Sequence, residues 1–115
     1  MPNILARFLI GASDRKKAAH FYSQLFDWRV EEHGDSHRVI TGGRLPGSIV
    51  NADEGFASFY VQVDDIAASL KRVEELGGEV VAPPSEKANG RYAVFADPDG
   101  TWIGLFQPGK KNSET

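Results

Sequence analysis

The sequence predicts an α+β fold made of two βαβββ modules, and three observations carry that reading. Short alternating apolar stretches of strand length recur along the chain, and two segments have helical apolar spacing behind an aspartate. Both patterns then repeat at one offset. Asp14 and Asp65 are 51 residues apart, and at that spacing Phe8 meets Phe59, Ile10 meets Val61 and Ala12 meets Val63. The same offset pairs Tyr22 with Val73, Leu25 with Leu76 and Val30 with Val81. Module one is assigned to residues 4–53 and module two to 56–107 of a single domain spanning 1–115, with a polar, disordered tail at 108–115.

Taken in order, Ile4–Ile10 has the length and residue types of a strand. Ser13 or Asp14 offers an N-cap oxygen to a helix reaching about Phe26, with Ala18, Phe21, Tyr22 and Leu25 expected to be its buried face. Trp28–Glu32 alternates as a half-buried strand, Gly34-Asp35-Ser36 turns it, and His37–Thr41 returns. Gly42, Gly43, Pro46 and Gly47 mark a rim loop before a short strand at Ser48–Ala52. In module two, Ala57–Val63 is a strand, and Asp64 or Asp65 caps a helix turning Ile66, Leu70, Val73 and Leu76 inward. Gly77-Gly78 stops that helix, because glycine enters the left-handed conformation without a Cβ penalty. Glu79–Val81 is a strand expected to end at Pro83-Pro84. Tyr92–Ala96 and Trp102–Gln107 then flank an Asp97-Pro98-Asp99-Gly100 turn.

Composition excludes several functions. The chain has 115 residues, 13 basic and 16 acidic side chains interspersed along it, and a net charge of −3. It therefore offers neither a basic nucleic-acid footprint nor a polybasic membrane patch. The apolar run Ile4–Ile10 is too short to span a bilayer, and no signal-peptide layout precedes it. The absence of cysteine removes disulfide and thiolate chemistry and suits a reducing compartment, so a cytoplasmic protein is expected.

Asp14 through Trp28, with Phe21-Tyr22 and Leu25-Phe26-Asp27-Trp28, resembles a segment of the vicinal oxygen chelate superfamily, which includes glyoxalase I, bleomycin-resistance proteins and extradiol dioxygenases. Val63-Asp64-Asp65-Ile66 to Gly77-Gly78, followed by Ala96–Gly100 and Ile103–Phe106, is similar to its second module. Asp27 departs from the pattern, standing where a glycine is usual. The resemblance implies a curled mixed sheet around a cleft with helices on the outer face, a small-molecule site in the cleft, and a homodimer. Strand alternation then sends Arg7, Leu9, Ser58, Tyr60, Gln62, Trp102 and Phe106 to the cleft floor. Arg7 would be a cationic anchor, Tyr60 and Trp102 stacking faces, and Ser58 and Gln62 hydrogen-bonding partners. The alternative for these aromatics is filling of the cleft interior, and for Arg7 a salt bridge.

Metal enzymes of the superfamily carry His, Gln or Glu on the first strand of each module and a carboxylate or related group on the last. Here those positions fall on Arg7, Ser58, Gly104 and Ser48 or Ile49, which are not a divalent-metal set, so no metal or other cofactor is expected. His33 and His37 bracket a turn and could meet across it, but two histidines do not complete a site. His20 reads as a surface residue. No serine–histidine–acid arrangement supports nucleophilic hydrolysis, and no catalytic residue is identified. The expected function is metal-free binding of a planar anionic or aromatic small molecule. The alternative is a lyase or isomerase of the same superfamily, for which the cleft positions supply no evident general base.

Overall fold

A computed structural model of the protein describes residues 2–109. The elements are β1 (Leu5–Ala12), α1 (Arg15–Phe26), β2 (Arg29–His33), β3 (Ser36–Ile40), β4 (Gly47–Asn51), β5 (Phe56–Gln62), α2 (Ile66–Glu75), β6 (Glu79–Lys87), β7 (Gly90–Ala96) and β8 (Trp102–Pro108). The expected βαβββ order thus occurs twice. Two compact units divide within β5: one runs from Ala6 to Phe59, and the other joins the stretch up to Leu5 to the chain from Tyr60 onward. The main-chain bond from Gln62 N–H to the Ile4 carbonyl, 2.8 Å, ties that N-terminal stretch to its unit. The expected tail, apart from Pro108 and Gly109, lies outside the described residues.

In module one the strand order is β2-β3-β4-β1, antiparallel except for the parallel β1–β4 pair. Asp14 is the N-cap of α1, with extended backbone and a carboxylate that accepts from the Lys17 N–H at 3.1 Å. Asp27 ends the helix in the left-handed region at φ 59°, a conformation aspartate tolerates better than most residues. This accounts for aspartate at a position where glycine is usual. The inward stripe of α1 is Arg15, Ala18, Ala19 and Tyr22, all half-buried. Phe21 and Leu25, expected to be buried, are instead 57% and 59% exposed. Ala18 and Tyr22 lie on the packing face as expected, and Arg15 and Ala19 join them in place of Phe21 and Leu25. Arg15 explains the rotation, because its guanidinium reaches the sheet (Nε to Asn51 Oδ1 and Nη1 to His37 Nδ1, both 2.9 Å). Val39 and Ile49 are fully buried beneath the helix.

In module two the order is β5-β8-β7-β6, with β5 and β8 parallel and the rest antiparallel. Asp65 caps α2 through the Ala68 N–H at 3.0 Å, and Gln107 Oε1 accepts the Ile66 N–H at 2.8 Å. At the other end Gly77 is left-handed at φ 97°, and Gly78 N–H returns to the Val73 carbonyl at 2.8 Å in a Schellman arrangement. Ile66 and Leu70 pack on Val63, Ala93 and Leu105, with each buried Ile, Leu or Val side chain contributing about 1.5–3 kcal/mol. Leu76, expected inside, is 63% exposed because α2 ends at Glu75 and the chain turns away.

β6 does not stop at Pro83-Pro84 but continues to Lys87. It is the outermost strand of its sheet, where a missing N–H need not break a ladder, and the register shifts between Val80 and Ser85 absorb the prolines. The repeat itself also slips by one residue. β2 starts at Arg29 and β6 at Glu79, so Val30 corresponds to Val80, which packs on the core, rather than to Val81. The Asp97–Gly100 turn forms as expected: Asp97 Oδ1 accepts from Asp99 N–H and Thr101 N–H, and Gly100 takes φ 88°.

Candidate functional site

Strand parity in module two separates a helix-facing set from an opposite set containing Tyr60, Gln62, Tyr92, Gly104 and Phe106. Tyr60 pairs with Gly104 and Tyr92 with Phe106 across the ladder. The Tyr60 ring meets Tyr92 edge-on at 5.1 Å between centroids, and Tyr92 lies 4.9 Å from Phe106 at a 34° tilt. Gly104 is what lets Tyr60 lie down on the sheet, because a Cβ there would run into the ring. The Tyr92 hydroxyl donates to Asn89 Oδ1 at 3.0 Å, which holds the ring's outer end. The result is a continuous half-buried aromatic surface with Gln62 beside it, suited to stacking against a flat molecule.

Of the expected floor residues in module two, Tyr60, Gln62 and Phe106 belong to this face. Trp102 has the same parity but lies at the start of β8 opposite Ala96 and is 61% exposed. Tyr92 was missed by sequence reading. Its place on this face follows from its pairing with Phe106 across the β7–β8 ladder.

In module one, Arg7 and Leu9 share a face of β1, and Ser48 lies opposite Leu9 on β4. Arg7 Nη1 donates to the Gly47 carbonyl at 3.0 Å and to Ser48 Oγ at 2.9 Å. Ser48 is therefore the residue facing Arg7, while Ile49 is buried on the other side. Ser58 is half-buried on β5, with the strand parity of Tyr60.

The two hairpin histidines do not meet. His33 pairs with Ser36 and His37 with Glu32, which puts them on opposite faces of the β2–β3 ribbon. His37 is buried against α1, and its Nδ1 accepts from Arg15, which can only donate. Its role is therefore structural. His20 is exposed on α1.

Residues 4–105 match the family model of the glyoxalase/bleomycin resistance protein/dioxygenase superfamily. The chain belongs to this superfamily. It is 30% identical to the anthracycline biosynthesis protein DnrV of Streptomyces peucetius over 94% of its own length and 48% of that protein. It is 29% identical to the anthracycline biosynthesis protein DauV of Streptomyces sp. (strain C5), with the same coverage. The chain thus spans about half the length of these relatives. The fold is similar to that of methylmalonyl-CoA epimerase from Mycobacterium tuberculosis, with a TM-score of 0.70 at 16% identity, covering 95% of this chain and 90% of that one.

Many members of this superfamily use a divalent metal, and the residues at the corresponding positions here do not fit one. Arg7 brings a cation to the place of a ligand and is bonded to Ser48, the neighbouring position. Gly104 has no donor, and the Tyr60 ring fills the space a longer side chain would need. Among the described residues, no group of three or more His, Cys, Asp or Glu is placed to hold a metal ion. No helix among them is long and apolar enough to cross a membrane.

Proposed function

We propose that this protein binds a flat aromatic small molecule on the face carrying Tyr60, Tyr92 and Phe106, with no metal involved. The observation that carries the reading is the ring-on-ring continuity of those three side chains above Gly104. Ring stacking is worth about 0.5–1.5 kcal/mol per pair beyond area burial, so such a face favours fused-ring ligands over flexible ones. The names of the Streptomyces relatives support the same class, since anthracyclines are built on a flat fused-ring body. An anionic substituent is the less supported half of the expectation, because Arg7 Nη1 already serves β4. Binding rather than turnover is favoured, as Tyr60, Gln62, Tyr92 and Phe106 include no carboxylate or histidine to act as general base.

The second part of the proposal is a twofold homodimer acting in the cytoplasm. Phe21 and Leu25 leave an apolar strip on α1 for a second copy to cover. The lack of cysteine suits the reducing compartment. Titration with an anthracycline, followed by quenching of intrinsic fluorescence, tests the binding reading. Saturable binding that weakens several-fold in Tyr92→Leu and Tyr60→Leu is expected, and undiminished binding in both folded variants rejects this face.

A further inference from the structure

A cavity of about 380 Å³ opens between α2 and the helix side of the module-two sheet. Val61, Val63, Phe95 and Leu105 form its sheet wall, and Val73 and Leu76 its helix wall. Strand parity puts it on the opposite side of the sheet from Tyr60 and Phe106. Asn3, Ser69, Arg72 and Asp97 supply the polar groups at its edge; of these, Arg72 pairs with Glu75 at 3.2 Å and Asp97 Oδ1 holds the β7–β8 turn. An apolar guest suits such walls, and the volume falls within the roughly 300–1,000 Å³ range of small-molecule sites.

The internal repeat shows what belongs there. In module one the corresponding region is filled by rings: Trp28 lies 6.1 Å from Tyr22, 4.9 Å from Phe26 and 5.6 Å from Phe8 between centroids. Module two has Val73 for Tyr22 and, counted back from the left-handed residue, Leu76 for Phe26. Gly78 follows the left-handed Gly77 as Trp28 follows the left-handed Asp27, so it stands in the place of the indole. Each ring is replaced by a smaller side chain or by none, which leaves the cavity beside Val73 and Leu76, while at Gly78 itself the chain has closed in and a Cβ would meet the Ala96 carbonyl and Val73. α2 cannot simply settle into the gap, since the Asp65 cap, the Ile66 and Leu70 contacts and the Gly78–Val73 bond hold it at both ends.

We propose that this cavity is a second binding site, taking a compact apolar ring system of indole or naphthalene size where module one carries its own Trp28 and Tyr22. The site is independent of the aromatic face proposed above. The test is methyl and aromatic NMR of the full chain titrated with indole and, separately, naphthalene. Saturable shifts at the methyls of Val61, Val73 and Leu105, with Tyr60, Tyr92 and Phe106 signals unmoved, are expected. Val73→Tyr returns the module-one ring and should weaken indole binding at least about tenfold. Leu76→Trp enlarges an exposed side chain at the mouth; it should do the same, and it decides the matter if Val73→Tyr does not fold. Absence of saturation, shifts confined to the Tyr60–Phe106 face, or unchanged affinity in the folded variants would overturn the proposal.

Discussion

The Arg7 guanidinium is bonded to Ser48 Oγ at 2.9 Å, so a side chain of β1 and one of β4 are joined to each other. The same Nη1 reaches the Gly47 carbonyl at 3.0 Å. The arginine thus links the first and last strands of its module through charge-assisted hydrogen bonds.

Replacing Arg7 by methionine keeps most of the stem packing but removes both bonds. A loss of about 1–3 kcal/mol is expected in urea unfolding, since the carbonyl of buried Gly47 and the hydroxyl of half-buried Ser48 lose a charged donor. A change within about 0.5 kcal/mol would show that water replaces the guanidinium fully.

Zinc or manganese added to the purified protein should leave the melting temperature unchanged, as should a chelator. An ion that bound only the native state would raise it by mass action. A concentration-dependent rise that disappears in Ser48→Ala would contradict the donor argument built on Arg7, Ser48 and Gly104.

Gly104→Ala should destabilise the protein by about 1–3 kcal/mol, because the new methyl meets the Tyr60 ring. The loss should shrink in the Tyr60→Leu background, and the thermodynamic cycle measures that coupling. Additive effects would mean that the ring does not lie on Gly104 in solution.

Arg15→Met leaves His37 Nδ1 and Asn51 Oδ1 without their donor. Because His37 is buried, about 1–3 kcal/mol of stability should be lost on unfolding by denaturant. His20→Ala, at an exposed site on the same helix, is the control and should change stability by less than about 0.5 kcal/mol.

Light scattering should give twice the chain mass at micromolar concentration, and the Phe21→Glu/Leu25→Glu double variant should shift it toward the single-chain mass. A single-chain mass for the parent protein at every concentration would remove the homodimer from the proposal.

By itself the sequence determined what depends on short-range chemistry and on periodicity. Asp14 and Asp65 cap their helices, Gly77 enters the left-handed region, and Asp97–Gly100 turns, because each requirement is met within a few residues. The alternation of β5 and β8 also placed Tyr60, Gln62 and Phe106 on one face, since a pleated strand has a two-residue period whatever packs on it. Tertiary structure decided what depends on a partner distant in the chain. Arg15, rather than Phe21 or Leu25, turns inward because His37 and Asn51 await it across the sheet. Pro83-Pro84 lies within a strand because β6 is outermost in its sheet. Arg7 is tied to β4 rather than left as a bare cation, and Tyr92 completes the aromatic face only through the β7–β8 register. Each of these is a choice among locally equivalent options, settled by which contact buries apolar area or satisfies a polar group at least cost.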